Sequence, residues 1–114
     1  MIKTEQLRAL VGRNVEMVCF AQFSVYIHLE GGILLTVEAG FEHAQGEMHR
    51  ENPTTFPITQ SSLMTILESA VASASLNANG DLPLVLSNGD SLGVTKEPGL
   101  ESYRLKIGGE EFFP

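Results

Sequence analysis

The 114-residue chain has little with which to staple itself, cross a bilayer or grip phosphate. Its one cysteine, Cys19, has no partner for an internal disulfide, and its place in the apolar run Val15 to Phe20 predicts a small buried thiol rather than a nucleophile. No stretch approaches the roughly 18 apolar residues a membrane span needs, and the opening Met-Ile-Lys-Thr-Glu-Gln-Leu carries no apolar leader. The expectation is a cytoplasmic protein with no membrane partner. Cations are scarce: seven Lys and Arg face fourteen Asp and Glu, for a net charge of −7. The seven (Lys3, Arg8, Arg13, Arg50, Lys96, Arg104 and Lys106) are scattered. A nucleic-acid binder needs them clustered to release counterions, so nucleic acid is excluded as a partner. The acidity fits solubility, and it also suits steering towards a basic protein partner.

Recognisable chemistry is equally sparse. There is no Gly-x-Ser-x-Gly elbow, no Gly-x-Gly-x-x-Gly fingerprint and no phosphate loop ending in Gly-Lys-Ser/Thr. No pair of carboxylates stands in an apolar setting that would split their acidities. The sequence therefore predicts no catalytic residue and no cofactor, with a weak hydrolase as the residual enzymatic alternative.

What the chain does have is internal similarity. Leu7, Leu10, Val11, Val15, Val18 and Phe20 recur 56 positions later as Leu63, Ile66, Leu67, Val71, Ala74 and Leu76. Val25, Ile27, Leu29, Gly32, Leu35 and Val37 recur 57 positions later as Leu82, Leu84, Leu86, Gly89, Leu92 and Val94. Each copy reads as a short capped helix, a strand and a hairpin. The first helix starts at Thr4 and stops near Gly12; the second starts near Ser61 or Ser62. The hairpins show period-two alternation around Gly31-Gly32 and Asn88-Gly89, the latter a strong turn signal. Pro83 places its strand at an edge or falls near that strand's start.

These elements predict an α+β fold. It consists of a curved, largely antiparallel sheet of six to eight strands with two short helices, built as helix plus three strands, twice, about a pseudo-twofold. The layout is a single domain over 1–114: repeat 1 about 4–38, a connecting loop 39–59, repeat 2 about 60–95, and a closing hairpin 100–113. In that hairpin Tyr103, Leu105 and Ile107 point inward.

Candidate site residues are few. The 38–60 segment holds Glu42, His43, Glu47, His49 and Glu51, of which His43, Glu47 and His49 are the metal-ligand candidates. His43 and His49 lie six apart, which is not a helical ligand pair, and zinc needs three or four convergent donors. Tyr26, His28 and Glu30 share the outward face of one strand and form a candidate binding surface with Glu101. Exposed strand edges and the terminal Phe112-Phe113 pair predict a homodimer.

The order of helix, Val-Gly-Arg-Asn-Val-Glu-Met-Val strand (11–18), glycine-turn hairpin, loop and second copy resembles a group of small uncharacterised bacterial domains. The resemblance runs over roughly residues 10–107. It is carried by Asn79-Gly80-Asp81-Leu82, Leu84, Leu86, Asn88-Gly89-Asp90, Leu92 and Val94, then Glu101-Ser102-Tyr103-Arg104-Leu105. The group commonly has Trp where this chain has Tyr103. The resemblance implies a non-enzymatic binding or interaction module, and some look-alikes resemble immunity proteins that neutralise a secreted toxin. The alternative is a small-molecule or metal-binding protein using the 38–60 loop and the His28 face.

Overall fold

The computed structural model describes residues 1–46, 49–53, 56–58 and 60–114. Among these the architecture is mostly β. Ten strands form two antiparallel sheets of five, with a single α-helix and one 3-10 turn. The expected single sheet of six to eight strands with two helices is corrected on both counts.

Helix α1 (Thr4–Leu10) opens where the Lys3 backbone N–H donates to Gln6 Oε1 at 2.7 Å. It closes at Gly12, whose φ of 86° few side chains tolerate. The predicted second helix is only the 3-10 turn Leu63–Ile66. The Ser61 hydroxyl accepts from the Leu63 N–H at 3.1 Å, β-branched Thr65 and Ile66 disfavour propagation, and Glu68 turns the chain at φ 69°.

Strands β1 (Val15–Phe20), β2 (Val25–Leu29), β3 (Ile33–Val37), β9 (Tyr103–Ile107) and β10 (Glu110–Phe112) make sheet 1 in the order β1-β2-β3-β9-β10. Strands β4 (Gly40–Gln45), β5 (His49–Glu51), β6 (Val71–Ala74), β7 (Leu82–Leu86) and β8 (Ser91–Thr95) make sheet 2 in the order β5-β4-β8-β7-β6. Two of these strands, β4 and β5, lie in the segment 39–59 expected as a loop. Their pattern was hidden because the inward positions of β4 are Phe41 and His43, and one of the two is polar. Pro83 stands second in β7, an interior strand, opposite Gly93.

The two sheets use one pairing scheme. Val18 pairs with Ile27, Ile27 with Leu35, Leu35 with Leu105 and Leu105 with Phe112. The corresponding row of sheet 2 runs Ala74, Leu84, Leu92, His43, Glu51. Both first strands carry a register irregularity at the same point, between Val15 and Met17 and between Val71 and Ser73. The sheets meet at an antiparallel bridge between Asn14 and Ala70. Around it the hydrogen bonds come in matched pairs. Gly12 N–H donates to Val71 O at 2.8 Å and Glu68 N–H to Val15 O at 2.9 Å; Val15 N–H donates to Ser69 O at 2.8 Å and Val71 N–H to Arg13 O at 3.0 Å. Helix α1 packs on β6, and the 3-10 turn packs on β1.

Between the sheets lies the core, with Leu10, Val25, Leu35, Phe41, Leu63, Ile66, Leu82, Leu92, Tyr103 and Leu105 almost fully enclosed. Burial of this apolar surface, at about 25 cal/mol per Å², is what holds the two sheets face to face.

Candidate functional site

Alternation along β4 sends His43 inward beside Phe41, and alternation back from Val94 and Leu92 brings Asp90 to the same interior. His43 is completely enclosed. Its Nε2 lies 2.8 Å from Asp90 Oδ2 and its Nδ1 lies 2.7 Å from Ser62 Oγ, just before the 3-10 turn. Ser62 Oγ is also 3.1 Å from Glu51 Oε1 on β5. The same carboxylate oxygen accepts from the Ser61 hydroxyl at 2.8 Å and from the Ser62 N–H at 3.3 Å. A continuous chain, Asp90–His43–Ser62–Glu51, thus runs from the interior to a surface pocket of about 470 Å³ lined, among the described residues, by Arg50, Glu51, Gln60, Ser61 and Ser62. Arg50, which borders this pocket, pairs its guanidinium with Glu42 on β4.

Ser62 has one hydroxyl proton and two acceptors in reach. When His43 carries a proton only on Nε2, that N–H donates to Asp90 and Ser62 donates to Nδ1. When both nitrogens are protonated, Nδ1–H donates to Ser62 and Ser62 donates to Glu51. The groups are satisfied in both states, and among the described residues no buried side-chain N or O atom lacks a partner.

Ser62, His43 and Asp90 resemble a nucleophile, base and orienting acid, but three features oppose that chemistry. The base of such a triad must pass its proton to the leaving group, and His43 is sealed from the pocket by Ser62 itself. The backbone N–H groups of Ser62 and of the next residue, Leu63, which could serve as oxyanion donors, are already given to Glu51 and Ser61. Finally, the Glu51 carboxylate 3.1 Å from Ser62 Oγ would repel a developing oxyanion. The arrangement holds groups in place.

Adjoining the polar pocket across Gln60 and Ser61 is a cleft of about 390 Å³ whose other described lining residues are Phe20, Ile58 and Met64. Phe20 is 37% and Met64 53% exposed, and Phe23, in the turn after β1, is 70% exposed.

The sequence-predicted residues are dispersed by the fold. Of the metal candidates, His43 has both ring nitrogens engaged by Asp90 and Ser62; His49 lies on β5 opposite Gln45; Glu47 lies outside the described residues. Among the described residues no group of three or more His, Cys, Asp or Glu could hold a metal. Tyr26 and His28 are half-buried on the outer face of sheet 1, away from the His43 chain. Glu30 is turned to local structure, its Oε1 accepting from the Asn14 N–H at 2.8 Å. Glu101 is exposed before β9, in a separate depression with Glu38, Leu100, Ser102 and Arg104. Cys19 is only partly buried, on the outer face opposite Tyr26. Tyr103 is a core residue: its hydroxyl donates to Gly80 O at 2.7 Å, and burial together with the nearby Asp81 carboxylate pushes its ionisation well above the usual tyrosine range.

Ser62 and Asp90 were not among the site residues expected from sequence, and Glu51 was expected only as a member of the 38–60 ligand cluster. They lie 19, 47 and 8 positions from His43, on other elements. The available signal was the alternation of β8, which continues back from Val94 through Leu92 to Asp90.

Fold and site together define a two-sheet antiparallel β domain with a hydrogen-bonded polar chain, Asp90–His43–Ser62–Glu51, reaching from its interior to the surface. The chain belongs to the Family of unknown function (DUF6188), whose model matches residues 6–113. No curated protein and no solved structure matches it.

Proposed function

We propose that the protein is a non-catalytic interaction module that binds a protein partner through the surface shared by the end of β1, the 3-10 turn and β5. The observation that carries this reading is the pairing of the Phe20–Ile58–Met64 cleft with the polar Ser61–Ser62–Glu51 pocket. An apolar centre beside satisfied polar groups is the usual make-up of an interface hot spot. The net charge of −7 favours a basic partner. An immunity-type module acting in a bacterial cytoplasm is the special case in which that partner is a basic toxin. The matched registers of the two sheets support an internal duplication, with recognition concentrated in the half that departs from the apolar pattern.

The test is affinity capture from the native host with wild type, Met64→Asp, and Val85→Asp, a control on the outer face of sheet 2. One and the same protein retained by wild type and Val85→Asp and lost by Met64→Asp supports the reading. A partner indifferent to Met64→Asp overturns it. Light scattering of the same samples tests whether a second copy occupies the cleft instead.

A further inference from the structure

Glu51 differs in kind from its counterpart in sheet 1, and it also anchors Ser61 and Ser62 ahead of the 3-10 turn. Where sheet 2 ends its row with Glu51 on β5, sheet 1 ends its row with Phe112 on β10, packed against the core. Edge strands of this design are therefore compatible with an apolar residue at that position. The carboxylate also brings a desolvation cost that an apolar residue avoids.

Its surroundings fix what it can bind. Oε1 is crowded by Ser61 Oγ, Ser62 N and Ser62 Oγ, which anchor the carboxylate in one orientation. Among the described residues Oε2 receives no hydrogen bond. An arginine fork grips a carboxylate through both oxygens, and here one is spent. A lysine ammonium is a point charge that needs only one. Arg50 also borders the pocket, but its guanidinium is paired with Glu42 rather than with Glu51.

We infer that Glu51 receives a lysine ammonium of the partner, with an apolar side chain next to that lysine filling the Phe20–Ile58–Met64 cleft. The inference rests on the interaction reading above and deepens it. Charge complementarity points the same way, because the chain carries an excess of seven negative charges. Behind Glu51, the His43–Asp90 pair keeps Ser62 in place, so the ammonium meets a carboxylate already oriented. Preorganisation of this kind reduces the cost of binding.

The experiment uses three probes: acetyl-Leu-Lys-amide, the same peptide with its lysine side chain acetylated, and acetyl-Leu-Arg-amide. Each is titrated into the full chain and followed by amide chemical shifts. The expected result is saturable shifts at Ser61, Ser62 and Met64 with the lysine peptide, and affinity about tenfold weaker once the ammonium is acetylated. Glu51→Gln, which keeps an acceptor for Ser61, should show the same weakening. Equal binding of the acetylated peptide, arginine binding at least as tight, or shifts confined to other surfaces would each overturn the inference. The two levels separate in the capture assay. A partner lost by Met64→Asp but kept by Glu51→Gln leaves the interaction reading standing and removes the lysine.

Discussion

His43 occupies in sheet 2 the place that Leu105 occupies in sheet 1. Leu105 pairs with Leu35 and Phe112, whereas His43 pairs with Leu92 and Glu51. Both are fully buried. The same backbone scheme thus accommodates an aliphatic side chain in one sheet and an imidazole in the other, and the imidazole is tolerated only because Asp90 and Ser62 satisfy both nitrogens.

Breaking that satisfaction from one side should be expensive. Asp90→Ala leaves the His43 Nε2 proton without an acceptor in a dry interior, at a cost of about 3 kcal/mol. For a domain of this size that corresponds to a melting temperature lower by roughly 10 °C or more. Calorimetry of the variant is the check, and an unchanged transition would mean that the pair does not restrain His43.

The turns after the two helical segments share one backbone conformation but not one residue. Gly12 has φ 86° and Glu68 has φ 69°, and both donate across the Asn14–Ala70 bridge. Glu68→Gly should relieve strain and raise stability by up to about 1 kcal/mol. Gly12→Ala, which introduces strain in open space, should lower stability by about 1 kcal/mol. Urea denaturation measures both, and effects of the same sign would contradict the shared conformation.

Tyr103 links the interior to alkaline stability. Its phenol is held neutral by burial first and by Asp81 second, so its ionisation in the folded state lies above the ordinary value near 10. A group raised in this way contributes stability that is complete below about pH 10 and is lost as pH climbs towards the folded value. Tyr103→Phe should cost about 1 kcal/mol at pH 8, from the bond to Gly80 O, and should flatten the decline in stability between pH 10 and 12. Unfolding curves at pH 8 and pH 11 test this; a decline as steep as the parent's would assign it to other groups.

Much of the sheet structure can be read from sequence, because the positions 56 and 57 apart that match in hydrophobicity also match in register. Val15, Val18, Val25, Ile27 and Leu35 pair as Val71, Ala74, Leu82, Leu84 and Leu92 do. The fourth and fifth strands of sheet 2 escape such a reading for a physical reason. Their inward residues are His43 and Glu51 where sheet 1 has Leu105 and Phe112, so hydrophobic patterning fails where the interior becomes polar. The second helix misleads through its apolar spacing, since Leu63, Ile66 and Leu67 suit one helical face while the local chain closes after a single 3-10 turn. The site is illegible for a third reason: the pairing of β4 with β8 brings Asp90 to His43, and the packing of the segment before the 3-10 turn brings Ser62, across long sequence separations. The hydrogen-bonding capacity of each residue is visible in the sequence, but its partner is not.

The central claim is that the polar end of the sheet 2 row serves recognition and is dispensable to folding. The most direct measurement combines thermal unfolding and partner capture on a triple variant, His43→Leu with Asp90→Ile and Glu51→Phe, which copies the matched residues of sheet 1. Replacing a buried polar set by apolar side chains is often neutral or stabilising, by about 1–4 kcal/mol. The account predicts a cooperative transition at or near the parent's melting temperature and loss of the partner. A variant that cannot fold, or one that folds and still binds the partner, would contradict it.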